Sequence, residues 1–368
     1  MRVVAVVIGL VLIGGILRDA FETIILPRTV INRRRLTRMF YRLTWNPWSA
    51  IVRKMQSESR REAWLGYYGP LSLIVLLAIW AVALMLGFAL LHWGMGTAMV
   101  GSDGPAGFGT ILYSSGETFF TLGYGDVTAH DGLGRLLSVL EAGTGFGFLA
   151  IVIGYLPVVY QAFSQREISV SLLDQQAGSP PSAGELLRRH GIDGSAATID
   201  DFLHEWERWA AEVLESHLSY PTLCYFRSQH ENQSWLGALT MILDACALLM
   251  VGIEGAETRQ ARLTFAMARH AVIDLAQIFV SPKREIPDRL PPAELQRLRA
   301  KLAEVGIVMN EGLEADRQLA ELRELYEPYV CALADYLLIP TPRWCSDGAA
   351  SDNWQRTAQD QSTVFHTS

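Results

Sequence analysis

Three stretches of the chain are apolar over a helix length. Val3 to Leu17 is an unbroken apolar run that stops at Arg18, Asp19 and Glu22. Leu71 to Leu91 is apolar apart from Ser72, and Leu136 to Val159 carries one charge, Glu141. About 20 apolar residues in helix cross a bilayer core, so the second and third stretches predict spanning helices. Tyr67, Tyr68 and Trp93 flank the second as interfacial aromatics do. The first run has the length of a signal-peptide core, but no small-x-small cleavage site follows it. It is read as a retained membrane helix with its N-terminus outside, an interfacial helix being the alternative.

Between the two spanning stretches the pattern breaks. Gly94, Gly96, Gly101, Gly104, Gly107 and Gly109 with Pro105 predict a loop. The following "TILYSSGETFF" suits a helix too short to span, hence a re-entrant one covered by protein or water. Its C-terminal end, partially negative, would favour a cation.

Beyond Gln161 the apolar spacing becomes amphipathic. "QQAGSPPSAGE" (175–185) has the composition of a linker. Phe202, Trp206, Trp209 and Val213 share one helical face, capped near Asp200 or Asp201. A helix starting at Pro291-Pro292 carries Leu295, Leu298, Leu302 and Val305. Another, from about Glu311, carries Leu319, Leu322, Leu325, Tyr326, Tyr329 and Leu333. Ala238 to Gly252 is apolar but short and contains Asp244, which predicts a buried core helix. Ser216 to Leu239, dense in polar side chains, is either a ligand-sensing pocket or a polar-buttressed junction.

Charge adds topology. Residues 28–61 hold ten Arg/Lys, which places them on the cytoplasmic side. Residues 94–132 then lie outside and 161–368 inside, in a multi-pass protein of the cell (inner) membrane. The outer stretch has Asp103, Asp126 and Asp131 and no Lys or Arg, so it would gather cations. From Gln161 onward 18 basic residues face 29 acidic ones, which argues against nucleic acid as a partner. The four cysteines lie far apart with no C-x-x-C, consistent with reduced thiols. His204-Glu205 is followed by Arg208 where H-E-x-x-H needs histidine. No catalytic constellation is found, and an enzyme is not expected.

The chemistry lies in "ETFFTLGYGD", Glu117 to Asp126. Thr121-Leu122-Gly123-Tyr124-Gly125-Asp126 resembles the signature of the tetrameric potassium channels, usually Thr-Val-Gly-Tyr-Gly-Asp. The resemblance covers residues 65–160 and is nearest to bacterial channels with two membrane helices and one pore loop per subunit. It implies that the carbonyls of Thr121, Leu122, Gly123 and Tyr124, with the Thr121 hydroxyl, replace the water around K+. All carbonyls face one side only if the backbone alternates in handedness, which Gly123 and Gly125 permit without steric cost. One chain supplies a quarter of each oxygen ring, implying a homotetramer in a lipid bilayer. K+ is the permeant ion and no other cofactor is expected. Leu122 for valine would leave selectivity intact. Tyr113-Ser114, where relatives have bracing tryptophans, bears on the stiffness of the filter. Glu117 and Asp126 match acids that in relatives meet behind the filter, one keeping its proton, which predicts a pH-sensitive filter. A backbone-amide partner for Glu117 is the alternative, the pair being preferred.

In the last apolar stretch, Gly143, Gly145, Gly147 and Gly154 do not fit G-x-G-x-x-G and follow no strand. They serve close helix packing or bending. Counting from Gly134-Arg135, which resembles the start of the inner helix in relatives, puts Gly145 at their hinge. Ala150, Ile153 and Pro157 are candidates for the inner constriction, and Pro157 can kink the helix near its end. Glu141 faces the pore cavity or bonds the pore helix of a neighbour, the second being preferred.

The expected whole is a membrane α-helical pore-loop channel fold with an all-α cytoplasmic domain. Its parts are an N-terminal membrane helix (1–27), a basic segment (28–64), a pore domain (65–160), a linker (161–185), a helical domain (186–340) and a disordered tail (341–368). A potassium-selective channel gated by the helical domain is the leading function. A non-selective cation channel, or a membrane sensor with a vestigial pore, is the alternative. Nothing in the sequence names a gating stimulus or a cytoplasmic ligand.

Overall fold

The computed structural model describes residues 1–26, 36–101, 104–193, 196–229, 232–254, 259–282 and 286–345. Asp103, part of the basic segment and residues 346–368 of the expected tail lie outside this set. The chain divides into two compact units, Met1–Gln161 and Ala162–Ser368.

The first unit begins with α1 (Arg2–Ala20), extended by a π-helical turn at Phe21–Ile25. α2 (Leu36–Arg53) and α3 (Glu58–Met95) follow. Ser57 caps α3 by accepting from the Arg60 amide, and Gly96 ends it in the left-handed conformation glycine tolerates. α1 lies antiparallel along α3 on a seam of small residues. A Cβ on Gly9 would come within 2.7 Å of the Gly87 carbonyl oxygen, and one on Gly94 within 2.8 Å of the Arg2 carbonyl oxygen. Such close approach is what glycine allows between membrane helices, where lipid supplies no hydrophobic drive. At the other end Asp19, 5% exposed, accepts from Trp80 Nε1 (3.2 Å) and from the Thr37 hydroxyl (2.7 Å). One carboxylate thus ties α1, the start of α2 and α3.

A small antiparallel sheet, not anticipated in the glycine-rich loop, is formed by β1 (Met99–Gly101), β2 (Gly104–Pro105) and β3 (Thr128–Ala129), in the order β2-β1-β3. Between β2 and β3 lies α4 (Phe108–Phe119), the predicted short helix. Ala89 of α3, Met99, Ile111 and Val127 bury a common core beneath the sheet. Asp131 accepts from the amides of Ala98 (2.8 Å) and Gly134 (3.1 Å), fastening the sheet to the start of the next helix.

That helix, α5, runs without interruption from Gly132 to Ala177. Two expectations are corrected here. Residues 161–177 are helix rather than linker, because Phe163, Arg166, Glu167, Val170, Leu173, Asp174 and Ala177 form a buried face at three- and four-residue spacing. The linker-like composition marks only the tight connection after Ala177, in which Gly178 takes φ 83° and Ser179 is buried. Pro157 is far from the end of α5 and does not stop it.

Among the described residues the second unit is helical, apart from an isolated bridge between Ile253 and Met309. It comprises α6 (Ala183–Asp193), α7 (Ala196–Ser219), a 3-10 turn (Pro221–Tyr225), α8 (Trp235–Ala247), α9 (Arg259–Phe279), α10 (Pro292–Ala303), α11 (Leu313–Glu324) and α12 (Glu327–Leu337). Every residue of α8 is buried, as expected of a core helix. Its one acid, Asp244, accepts both Arg289 Nη atoms (3.1 and 2.6 Å) and the Tyr326 hydroxyl (2.6 Å). Arg289 also meets Glu327 (3.1 Å) and the Pro342 carbonyl (2.9 Å). Desolvation raises the Glu327 pKa above its ordinary value, partly offset by Arg289 and Arg323.

The helix expected from Glu311 to Leu333 is two helices. Pro328 has no amide to continue a helical ladder and sits in the first turn of α12, while Tyr326 turns inward to Asp244. The expected tail starts later than 341: Trp344 and Cys345 are buried, and Arg289 and Arg323 lie over the Trp344 ring. The four cysteines are buried and none is in a disulfide. The described residues of the polar 216–239 stretch make the contacts of a junction. Arg227 donates to the Leu337 and Leu338 carbonyls (2.9 and 2.8 Å), and the Tyr225 and Tyr336 hydroxyls bond at 3.0 Å.

Helices at Arg2–Ile25, Glu58–Met95, Gly132–Ala177 and Trp235–Gly252 are long and apolar enough to cross a membrane. The last is enclosed by its own unit. The first three, with the re-entrant α4, make a membrane α-helical pore-loop architecture joined to an all-α unit.

Candidate functional site: a re-entrant helix and its carbonyl strand

α4 ends at the residues the motif singled out. Its last turn tightens through Phe120 N to the Gly116 carbonyl (3.0 Å), Thr121 N to the Thr118 carbonyl (3.1 Å) and Leu122 N to the Glu117 carbonyl (2.9 Å). The chain then leaves as an extended strand, and Thr121 through Asp126 are exposed in the single chain. The backbone alternates in handedness: φ is 56° at Thr121, 68° at Gly123 and 74° at Gly125. Leu122 and Tyr124 between them are not in the left-handed region. Alternation of this kind turns successive carbonyls to one side, as a dehydrating cation requires. Gly123 and Gly125 adopt it freely. Thr121 adopts it against the preference of a β-branched residue, and nothing in the threonine itself signals this.

The flanking acids do not pair with each other. Glu117, 5% exposed, accepts from the Gly125 amide through Oε1 at 2.8 Å. Asp126 and Tyr113, which is exposed on α4, are not joined by a hydrogen bond among the described residues. No carboxyl–carboxyl hydrogen bond joins Glu117 and Asp126 among the described residues, so the expected shared proton behind the filter has no counterpart. The backbone-amide reading of Glu117 holds instead.

Glu141 on α5 is 1% exposed and bonds Ser115 of α4 in its own chain, rather than the pore helix of a neighbour. Ser115 also bonds the Met85 carbonyl at 2.7 Å. Three helices therefore meet at one hydroxyl. Ser115 was not singled out from the sequence; a serine facing an intramembrane glutamate was the available signal.

Gly145 is buried against the end of α4. A Cβ there would lie 2.1 Å from the Phe119 carbonyl oxygen and 2.8 Å from its carbon. Here the glycine permits close packing, and α5 passes through it without a break. Gly143, Gly147 and Gly154 have open space at the same position. Ala150, Ile153 and Pro157 are exposed on α5 and make no constriction within one chain.

In the second unit, α5 is held at Arg166. Its guanidinium, 3% exposed, pairs with Glu167 (2.9 Å) and donates to the carbonyls of Leu223 (3.0 Å) and Phe226 (2.9 Å). His217 Nε2 lies 3.1 Å from Arg166 Nη1, and its Nδ1 lies 2.8 Å from the Val213 carbonyl. A neutral ring with its proton on Nδ1 satisfies both contacts. Desolvation, reinforced by Arg166, holds the His217 pKa well below the usual imidazole value.

Residues 73–162 match the family model described as ion channel. That segment takes in most of α3, the sheet, α4, the carbonyl strand and the first part of α5. The curated uncharacterized membrane protein YdjJ of Bacillus subtilis (strain 168) is 24% identical over 191 residues, covering 51% of this chain and 55% of that protein. The match thus spans about half the length of the relative. No solved structure matches the chain. The pore segment is similar to ion channels, and the chain has the helices of a membrane protein.

Proposed function

We propose that the chain is one subunit of a potassium-selective channel that conducts K+ passively. Four copies place their Thr121–Gly125 strands around one axis, and the Thr121, Leu122, Gly123 and Tyr124 carbonyls form the stacked ion sites. The observation that carries this reading is the left-handed backbone at residues 121, 123 and 125. The C-terminal end of α4 aims its partial negative charge toward the ions. Exposed Leu122 and Tyr124 side chains supply the contacts between copies behind the strand. The second unit lies on the cytoplasmic side of the inner membrane and acts on the pore through α5, whose residues 162–177 it buries along one face.

Flux into liposomes tests the proposal. Wild-type protein should pass K+ in large excess over Na+, blocked by barium, and Gly123→Asp or Tyr124→Ala should abolish the flux. Equal barium-blockable flux in either variant overturns the filter reading. A mass measurement in detergent giving a monomer or dimer overturns the fourfold assembly.

A further inference from the structure

The buried contact between Glu141 and Ser115 fixes a proton. Ser115 Oγ is within bonding distance of the Met85 carbonyl (2.7 Å) and of Glu141 Oε1. A serine hydroxyl has one proton to give, and a carbonyl can only accept. If Ser115 donates to Met85, Glu141 must donate to Ser115. The surroundings agree. Glu141 is 1% exposed, and no Lys or Arg pairs with it among the described residues. An unpaired buried carboxylate is costly. The ionisable neighbour among the described residues, His92, has Nε2 3.9 Å from Glu141 Oε2, beyond hydrogen-bond reach though within ion-pair range. The Thr97 hydroxyl donates to the His92 carbonyl (3.2 Å), so the 3.0 Å contact between Thr97 Oγ1 and His92 Nδ1 needs its proton on Nδ1. In the neutral ring that tautomer turns a bare nitrogen toward Glu141, so His92 offers the carboxyl a charge only by taking up a second proton on Nε2.

We propose that Glu141 is an un-ionised carboxylic acid at neutral pH and a positioning residue for the filter. It donates to Ser115, which donates to Met85, so a neutral chain of two bonds locks α4 between α5 and α3. The strand that begins at Thr121 leaves from the helix held in this way. The positioning role rests on the conduction reading above; the protonation state does not.

The experiment uses the full-length protein in liposomes. Infrared spectra at neutral pH should contain the carbonyl stretch of an un-ionised carboxyl that disappears in Glu141→Gln. If the wild type lacks a band that this variant removes, the protonated acid is overturned. In the same vesicles, Glu141→Ala and Ser115→Ala should each lower the K+ to Na+ flux ratio by about tenfold, the scale of one lost buried hydrogen bond. Glu141→Gln, a neutral donor of the same shape, should restore the ratio. An unchanged ratio in assembled Glu141→Ala, or no rescue by glutamine, overturns the positioning role. A wild type without flux would count against the channel reading and the positioning role that depends on it, while the infrared result would still decide the protonation state.

Discussion

Replacing Gly145 by alanine tests whether this glycine is a bending point or a packing surface. The added methyl would start 2.1 Å from the Phe119 carbonyl oxygen, where ordinary contact begins at 3.4 Å. The deficit is about 1.3 Å against backbone atoms, which cannot rotate away as a side chain could. α5 must back away from the end of α4, or α4 must move with the Thr121 strand. Overpacking of this kind costs about 1–3 kcal/mol. Gly143→Ala and Gly147→Ala meet no atoms within 4 Å and should gain up to about 1 kcal/mol of helix stability. Thermal unfolding of the assembled protein in detergent, read alongside K+ over Na+ flux, separates the cases. Gly145→Ala should lower both the midpoint and the selectivity, and the two neighbours should lower neither. If Gly145→Ala keeps stability and selectivity and only reduces opening, the packing argument is wrong and a hinge is right.

Glu117→Ala removes the acceptor of the Gly125 amide and should cut sustained K+ flux about tenfold, whereas Glu117→Gln retains an acceptor oxygen and most of the flux. His217 is held neutral when folded, so the unfolded chain takes up a proton there first as pH falls. Stability of the second unit should be full above the ordinary value of 6.5 and decline below it; urea unfolding at both ends of this range checks the slope, which His217→Gln should flatten. Trp344→Ala removes a fully buried ring and should destabilise the second unit by about 3–5 kcal/mol, measured by thermal unfolding; a neutral result would return residues 341–345 to the tail.

What could be read from the sequence was contiguous. The filter motif needs six adjacent residues, and α3 and α8 announce themselves by apolar content alone. What could not be read depends on partners distant in the chain. Asp244 looked like a flaw in an apolar helix because Arg289 lies 45 residues away. Trp344 sits among polar residues, and only the packed fold shows that two arginines cover it. The length of α5 was underestimated for a different reason. The linker composition is confined to 175–185, whereas Phe163, Val170 and Leu173 before it carry a helical period. The Glu117–Asp126 pairing is absent because Glu117 accepts from the Gly125 amide, and a motif does not reveal which donor a carboxylate takes. Gly123 and Gly125 mark their left-handed positions in the sequence, whereas the same handedness at Thr121 carries no residue signal.

The Asp19–Trp80 bond has a consequence for the order of synthesis. Asp19 leaves the ribosome 61 residues before the indole that satisfies it. Until α3 enters the bilayer, α1 carries a carboxylate at Asp19 without its indole partner and an unfilled notch at Gly9. A nascent chain stalled within α2 therefore holds a helix with its docking surface unfilled, and insertion of α3 completes both at once.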